Sequence, residues 1–306
     1  MTTNVIRRVL VHGANGAQGG AIARQLQAEG FAVRAAVRDV SKARALAAAG
    51  IEVVAADLES RTQVLEACEA MDAAVLTLPL CYDHATILRW TENASSAASA
   101  AGVGLMILNS SGRIPAERTE VAGFELRREA ETMVRTLGPP TTILRPPFYM
   151  ENLAGPWITG AMAASQVVAY PVALRLRAAW LALADLGAYV AAALRRPDLA
   201  GEIRDIGGPQ ALDGSHLARD LSLAFGHPLT YATVPPDVFE RNLAPHLGPA
   251  VAKEIAASYF WLAAHPDTPL LMGTDPQLQD ELARPATSLA RWARAQVWPP
   301  LAAKTA

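Results

Sequence analysis

The stretch Val9-Leu10-Val11-His12-Gly13-Ala14-Asn15-Gly16-Ala17-Gln18-Gly19-Gly20 decides the fold of this chain. Its first four residues are typical of a short buried strand, and Ile22 and Leu26 share the face of a helix that follows. Glycines recur at every third position in the turn between them. Glycine lets a backbone approach a diphosphate closely, and the start of a helix offers free N–H donors and a favourable dipole. The stretch therefore predicts a dinucleotide-binding turn, with an ordinary tight turn at positive φ as the alternative.

The same alternation of short apolar runs and helix-like stretches continues along the first half of the chain. Further strands are expected at residues 31–37, 51–55, 73–78, 103–108 and 141–144, with helices between them. Alternation of this kind builds a parallel sheet with helices on both faces. We therefore expect an α/β protein with a doubly wound parallel sheet of the Rossmann type, whose ligands bind at the carboxyl ends of the strands.

The pattern changes after Tyr149, where proline and glycine become frequent. One more helix at about 185–195 and one more strand at about 201–206 are expected to join the sheet. Helices at about 213–225, 236–246, 249–264 and 287–295 dominate the rest. The sequence thus predicts two domains. Residues 1–154 form the dinucleotide-binding domain, to which about 183–207 return, and residues 155–306 form a smaller, mostly helical substrate domain.

Composition excludes several classes of protein. The 306 residues are 51% hydrophobic and 18% charged, which is too apolar for a disordered chain. The 27 Lys and Arg nearly balance the 29 Asp and Glu, so no nucleic-acid partner is expected. Two cysteines without CxxC spacing and six histidines without metal-ligand spacing predict neither a disulfide framework nor a metal site, and a cytoplasmic location fits. No apolar run is long enough for a membrane span, and the N-terminus lacks the pattern of a signal peptide.

The end of the second strand bears on the choice of cofactor. A site for NAD(H) usually has an acid there that binds the ribose 2′-hydroxyl, whereas an arginine favours a 2′-phosphate. Arg38 occupies this position, with Lys42 one helical turn further on, and we interpret Asp39 as a helix cap. NADP(H) is therefore the preferred cofactor and NAD(H) the alternative; an Arg38 that is merely solvated is a further alternative.

Two other strand ends are expected to contact the cofactor. Asp57, followed by Leu58, can accept a hydrogen bond from the adenine amino group, although a turn residue is an equal alternative for Asp57. Thr77, Leu78 and Pro79 end the fourth strand, where backbone usually passes under the cofactor ribose. With the turn itself, the residues expected from these patterns to bind cofactor are Gly13, Asn15, Gly16, Ala17, Gln18, Gly19, Arg38, Lys42, Asp57, Leu58, Thr77, Leu78 and Pro79.

Further stretches carry a resemblance to a known family. They are Asn109-Ser110-Ser111-Gly112 at a strand end and, most specifically, Thr142-Ile143-Leu144-Arg145-Pro146-Pro147-Phe148-Tyr149-Met150-Glu151-Asn152. Together with the glycine turn, they make the chain resemble the NmrA-like branch of the atypical short-chain dehydrogenases/reductases. The resemblance implies NADP(H) at the glycine turn, with Asn109, Arg127, Pro147 and Phe148 as additional cofactor contacts. Members of this branch either reduce small carbonyls, quinones or dyes, or only sense the cofactor.

The resemblance also implies positions for catalysis, and there the chain departs from the usual pattern. Short-chain reductases commonly use a serine, a tyrosine and a lysine four residues after the tyrosine. The register places Gly123 at the tyrosine position and Arg127 at the lysine position. Arginine holds its proton at any ordinary pH, so Arg127 is expected to bind ribose or stabilise negative charge rather than donate a proton. An exposed helix arginine is the alternative. Ser111, Arg127 and Tyr149 are the catalytic candidates, and packing is the alternative role for Tyr149.

The substrate pocket is expected between the strand ends and the second half of the chain, with Trp180 as one of its aromatic residues. The residues expected to line it are Leu80, Tyr82, Ser111, Tyr149, Asn152 and Trp157. Such a site favours an NADPH-dependent reductase, a monomer or homodimer, that acts on a small and fairly apolar acceptor. A regulator that senses NADP(H) without turnover is the first alternative. An isomerase or lyase with a tightly held cofactor is the second.

Overall fold

A seven-stranded parallel sheet dominates the computed structural model, which describes residues 5–301. Residues 1–4 and 302–306, the outer ends of the two expected domains, lie outside the described residues. Seven strands form this sheet and two form a smaller one. In chain order they are β1 (Arg8–His12), β2 (Ala32–Val37), β3 (Glu52–Ala55), β4 (Ala73–Thr77), β5 (Leu105–Asn109), β6 (Thr141–Arg145), β7 (Val167–Tyr170), β8 (Ile203–Asp205) and β9 (Thr230–Thr233).

Helices cover both faces of the sheet and build most of the second half. They are α1 (Ala17–Ala28), α2 (Arg44–Ala48), α3 (Arg61–Cys68), α4 (His84–Ala100), α5 (Ala122–Leu137), α6 (Pro156–Ser165), α7 (Leu183–Leu194), α8 (Gly214–Phe225), α9 (Pro236–Leu247), α10 (Pro249–Ala264), α11 (Pro276–Asp280) and α12 (Leu289–Arg294). Short 3₁₀ helices lie at Val40–Lys42, Met150–Ala154 and Pro197–Leu199. Between residues 5 and 301, no helix is both long and apolar enough to cross a bilayer.

The strand order of the main sheet is β3-β2-β1-β4-β5-β6-β8, with every neighbouring pair parallel. Every residue of β4 and β5 is buried, as expected for strands that are covered on both faces. The order reverses between β1 and β4, and this switch point opens a crevice at the carboxyl ends of the strands. The doubly wound fold expected from the sequence is confirmed.

Two apolar layers hold helices on the sheet. On one face, Ile22 and Leu26 of α1 pack with Leu186 and Val190 of α7 against β1 and β5. On the other face, α3 and α4 pack on the opposite side of the same strands. Since α7 is buried on nearly all sides, its alanine-rich and leucine-rich sequence lets it pack beside α1 on this face of the sheet. The strand Ile203–Asp205 pairs with β6, and it brings the chain back to the sheet after the region of α6 and β7.

The second half contains elements that the sequence analysis missed. Strands β7 and β9 form a two-stranded parallel sheet, in which Val167 pairs with Thr230, and helices α6 and α11 were not expected. Each of these strands has only four residues, and the partners are far apart in the chain, so no local pattern indicates the pairing. A third apolar layer, rich in aromatic residues, joins these strands to α6, α8, α9, α10 and α12.

Local capping explains several element boundaries. Asp83 caps α4, because its carboxylate accepts a hydrogen bond from the Thr86 N–H. Ser60 caps α3 by accepting from the Gln63 N–H, but the Gln63 side chain does not complete a capping box, since its Oε1 accepts from the Asp57 N–H. Between β2 and β3, a 3₁₀ turn is followed by the short helix α2.

Candidate cofactor and substrate site

The glycine turn after β1 is shaped by contacts that leave no room for side chains. Gly13 has φ +69°, and a Cβ there would lie 2.7 Å from the Thr77 carbonyl oxygen. A Cβ at Gly19 would overlap the Gly13 carbonyl oxygen. The N–H of Gly16 donates to that same carbonyl at 2.9 Å, and no side chain caps the start of α1. The first N–H groups of α1 therefore remain available to an anionic ligand.

One cavity of about 900 Å³ extends from this turn along the carboxyl edge of the sheet into the second half of the chain. With two exceptions, every residue that the sequence nominated for cofactor or substrate lines it. One exception is Trp180, and the other is Asn109, which lines a smaller adjoining cavity of about 100 Å³ together with Gln18, Ser111 and Arg127. The large cavity is near the upper end of the range for small-molecule and cofactor sites.

The end of β2 separates the roles of two neighbouring side chains. Asp39 caps the 3₁₀ turn that follows, since its carboxylate accepts from the Ser41 N–H at 3.0 Å and the Ser41 Oγ at 2.6 Å. These hydrogen bonds lower the pKa of Asp39. Arg38 is exposed at the cavity edge, and within residues 5–301 its guanidinium has no hydrogen bond or ion pair. The interpretation of Asp39 as a helix cap is confirmed, and Arg38 is free to meet an anion.

Two buried polar atoms on the cavity wall lack partners within the described part of the chain. They are Nε2 of His12, at the end of β1, and Oγ1 of Thr77, at the end of β4. Burial lowers the pKa of His12 to about 4, so its imidazole is neutral near pH 7. The sequence analysis placed His12 in a buried strand but missed that it faces the cavity. Because buried polar groups normally have partners, these atoms fit a polar ligand such as a dinucleotide.

Asp57 serves as a turn residue and still faces the cavity. Its Oδ1 accepts from the Glu59 N–H at 3.0 Å, while Leu58 beside it is buried in the layer under α3 and α4. Both residues line the cavity next to Ala36, at the side of the sheet where β2 and β3 end. Arg38 lies on the same side, so the adenosine half of a dinucleotide is expected at this end of the cavity.

Arg127 is not a solvated helix arginine. Its Nη1 donates to the Gly123 carbonyl at 2.8 Å and its Nε to the Ser110 carbonyl at 3.3 Å. A Cβ at Gly112 would lie 3.3 Å from that Nε, so the guanidinium lies against the backbone after β5. The side chain is half-buried and lines both cavities. The structure thus brings a positive charge to the wall that the two cavities share.

The two hydroxyl candidates meet on one side chain. Ser111 Oγ and Tyr149 Oη both donate to Oε1 of Gln18, at 2.8 and 3.0 Å. Burial raises the pKa of Tyr149, which keeps the phenol protonated. Ser110 lines only the smaller cavity, and its hydroxyl donates to the carbonyl oxygens of Gly112 at 2.8 Å and Leu144 at 3.2 Å.

Gly123 stands where short-chain reductases commonly carry tyrosine, and the ring of Tyr82 lies over this position. A Cβ at Gly123 would lie 3.1 Å from Cε1 of Tyr82, which comes from the segment between β4 and α4. Tyr82 lines both cavities, as does Leu80 next to it in the chain. The absence of a side chain on α5 therefore makes room for Tyr82.

An aromatic cluster closes the far end of the cavity. Phe148 stacks on Tyr259 at 5.9 Å between ring centroids, Tyr170 packs edge-on against Tyr259 at 5.8 Å, and Phe239 lies 5.2 Å from Tyr259. The hydroxyls of Tyr170 and Tyr259 share a hydrogen bond of 2.7 Å, and burial raises the pKa of Tyr170 to about 12. Sequence reasoning missed three of these four residues, because β7, α9 and α10 come together only in the folded chain.

Two expectations about aromatic residues have different outcomes. Trp157 lines the cavity, as does Asn152 from the preceding 3₁₀ helix. Trp180 does not line it: the indole is 2% exposed and packs behind Phe148 at 5.0 Å between centroids. Its expected place in the pocket is therefore wrong, since Phe148 separates it from the cavity. Among residues 5–301, no group of His, Cys, Asp or Glu is arranged to hold a metal ion.

The parallel sheet, its switch point and the glycine turn define a nucleotide-binding protein of the Rossmann class. Within that class the chain belongs to the NmrA-like family, whose sequence pattern matches residues 6–290. An NAD(P)H azoreductase from Xenophilus azovorans is 27% identical over 289 residues, which cover 94% of this chain and 97% of that enzyme.

Solved structures share the fold over nearly the whole chain. The triphenylmethane reductase of Citrobacter sp. in complex with NADP(H) has a TM-score of 0.78 at 22% identity, over 94% of this chain and 99% of that one. NmrA, a negative transcriptional regulator in complex with NADP, has a TM-score of 0.71 at 17% identity, over 95% of each chain. Likeness at these identities establishes the fold, which hosts both enzymes and a regulator.

Proposed function

We propose that this protein is an NADPH-dependent reductase that transfers hydride to a planar, largely apolar acceptor. The observation that carries the proposal is the single cavity that joins the glycine turn to the aromatic cluster. A dinucleotide with its diphosphate at the start of α1 would present its nicotinamide towards Phe148, and an acceptor that packs against the cavity side of the aromatic cluster would lie beside it. Flat aromatic rings favour offset or stacked contacts with a flat ligand.

The preference for NADP(H) rests on the end of β2. Asp39, the acid at this strand end, accepts from Ser41 and lies 3.6 Å from Lys42 Nζ, whereas Arg38 is free on the same rim. A guanidinium binds a phosphate strongly and gains little from a ribose hydroxyl. The azoreductase relative is named for NAD(P)H, which covers both cofactors, so the preference depends on Arg38 alone.

The chain's own residues would orient the reactants and stabilise charge. Bound NADPH supplies the hydride, and the organic chemistry is the cofactor's. Arg127 stabilises the negative charge that a quinone or azo acceptor gains with the hydride, and water provides the proton, because burial raises the pKa of Tyr149 and makes its phenol a weak proton donor. Ser111 and Tyr149 shape the wall next to the nicotinamide, and the aromatic cluster keeps the acceptor flat against it.

The test is steady-state oxidation of NADPH with a panel of acceptors: a para-quinone, an azo dye, a triarylmethane dye and a simple ketone. We expect turnover with the quinone and the two dyes and little with the ketone, which needs a proton donor in the transition state. Arg127→Met should lower kcat about tenfold or more through lost charge stabilisation, with Arg135→Met, an exposed residue on the same helix, as the control. An unchanged kcat in Arg127→Met would contradict the role of Arg127.

A cofactor-sensing regulator is the second candidate. It is favoured by Gly123 and Arg127 at the positions where short-chain reductases carry tyrosine and lysine. This candidate predicts saturable binding of NADP(H) without consumption of NADPH by any acceptor. Conversion of a ligand without net loss of NADPH would instead indicate the isomerase or lyase alternative.

A further inference from the structure

Gln18 is the centre of a polar network at the nicotinamide side of the cavity. Its Oε1 accepts three hydrogen bonds: from Asn109 Nδ2 at 2.6 Å, from Ser111 Oγ at 2.8 Å and from Tyr149 Oη at 3.0 Å. The donors follow β5 and β6, whereas Gln18 lies in the first turn of α1. One carboxamide oxygen therefore ties the glycine-turn helix to two strand ends.

The orientation of the Gln18 carboxamide follows from a backbone group. The N–H of Ser111 donates to Oδ1 of Asn109 at 3.2 Å, and a backbone N–H has no other role than donor. This fixes the oxygen of Asn109, so the NH₂ group of Asn109 points at Gln18. The Gln18 atom that receives it must be an acceptor, which is Oε1.

The other end of the same carboxamide is free. With Oε1 saturated, Nε2 of Gln18 carries two N–H donors, and nothing between residues 5 and 301 accepts from them. Gln18 is half-buried and lines both cavities. Its side chain reaches from α1 towards the ends of β5 and β6, whereas Arg38 and Asp57 lie on the opposite side of the turn, at the ends of β2 and β3. The free donor thus faces the half of a dinucleotide that lies beyond the diphosphate.

We propose that Gln18 binds the nicotinamide mononucleotide half of the cofactor through Nε2, while its Oε1 sets the positions of Ser111 and Tyr149. The inference rests on the proposed use of NADP(H). The glycine turn binds a dinucleotide through its backbone N–H groups. The inference adds a contact from the Gln18 side chain to the other half of the cofactor. An oxygen of the cofactor, on the phosphate or ribose next to nicotinamide, is the acceptor.

Gln18→Glu is the sharpest variant, because it is nearly isosteric. A glutamate keeps an oxygen for the three donors but replaces the free NH₂ with a second oxygen that repels the cofactor. Calorimetric titration should show NADP⁺ binding weakened about tenfold or more. Affinity for 2′,5′-ADP, which lacks the nicotinamide half, should stay within about twofold of the wild type. Gln27→Glu, on the same helix but away from both cavities, is the control for added charge.

A second measurement needs no variant. In the wild-type protein labelled with ¹⁵N, NADP⁺ should shift the side-chain amide resonances of Gln18, and 2′,5′-ADP should leave them in place. Any one of three results would overturn the proposal. They are equal NADP⁺ affinity of wild type and Gln18→Glu, equal losses of affinity for NADP⁺ and 2′,5′-ADP in the variant, and Gln18 resonances that NADP⁺ does not shift. If wild type takes up neither ligand, the proposed function fails with it, which is a distinct outcome.

Discussion

Cofactor choice is decided at the scale of single residues. Arg38 and Asp39 are neighbours in the chain, yet the Asp39 carboxylate accepts hydrogen bonds from Ser41, whereas the Arg38 guanidinium is free at the cavity rim. The sequence supports this assignment because an Asx cap followed by serine is a local pattern. It could not reveal the role of Gln18, whose three partners are 91, 93 and 131 residues away.

Arg38→Ala is expected to weaken NADPH about tenfold or more and to leave NADH nearly unchanged, because only NADPH carries the 2′-phosphate. Calorimetric titration with both dinucleotides measures the two affinities. Arg44→Ala, an exposed residue that does not line the cavity, is the matched control. Equal weakening of NADPH and NADH would remove the case for phosphate recognition by Arg38.

His12 should make stability depend on pH in the absence of ligand. Burial holds its folded-state pKa at about 4, below the ordinary 6.5, so the unfolded chain binds the proton first. The contribution of neutral His12 to the free energy of unfolding is therefore complete above pH 6.5. As the pH falls from 6.5 towards 4, the free energy of unfolding decreases by up to about 3 kcal/mol.

The measurement compares the free energy of unfolding of wild type and His12→Gln across this pH range, because the shared carboxylates cancel in the difference. His227→Gln, at an exposed loop position, is the control. A difference that does not change with pH would show that His12 is not held neutral by burial.

At the scale of elements, the strand–turn–helix from β1 to α1 has two kinds of glycine. A Cβ at Gly13 or Gly19 collides with backbone, so these glycines are needed for the turn itself. Gly16 is exposed, its φ is −78°, and a Cβ there would lie 3.2 Å from the Gly13 carbonyl oxygen. Of the three glycines, Gly16 is thus the one at which an added side chain would disturb the fold least.

Gly16→Val is expected to abolish binding of NADPH and NADH while the melting temperature falls only slightly, because the side chain occupies the space of the diphosphate. Gly19→Val should instead lower the melting temperature strongly, since its side chain overlaps the backbone of Gly13. Calorimetric titration and thermal unfolding of both variants separate the two effects. Normal cofactor affinity in Gly16→Val would show that the diphosphate does not lie at this turn.

Elements differ in how well a sequence predicts them. The strands from β1 to β6 are near-continuous apolar runs that turn residues separate, so their existence and order follow from local patterns. Strands β7 and β9, of four residues each, become strands only by pairing with each other. The aromatic cluster that Phe148 forms with Tyr170 and Tyr259 depends on that pairing, and for this reason half of the substrate site was not foreseen.

At the scale of the whole molecule, one cavity links residues from the ends of six strands of the main sheet with residues from α9 and α10. The adenosine side is polar and carries Arg38, while the far side is aromatic and closed by Tyr170 and Tyr259. Under the proposed function, this polarity would give a dinucleotide one direction of binding and leave an apolar space beside its reactive end. We then expect the second half of the chain to decide the acceptor and the sheet to decide the cofactor.

The most direct measurement is a single turnover without oxygen, in which protein loaded with one equivalent of NADPH is mixed with a para-quinone. The account predicts that NADPH absorbance disappears in step with the appearance of hydroquinone, faster than in a mixture without protein. If bound NADPH is instead oxidised no faster than in the protein-free mixture, with this quinone and with the azo and triarylmethane dyes, that result would contradict the reductase and favour the regulator.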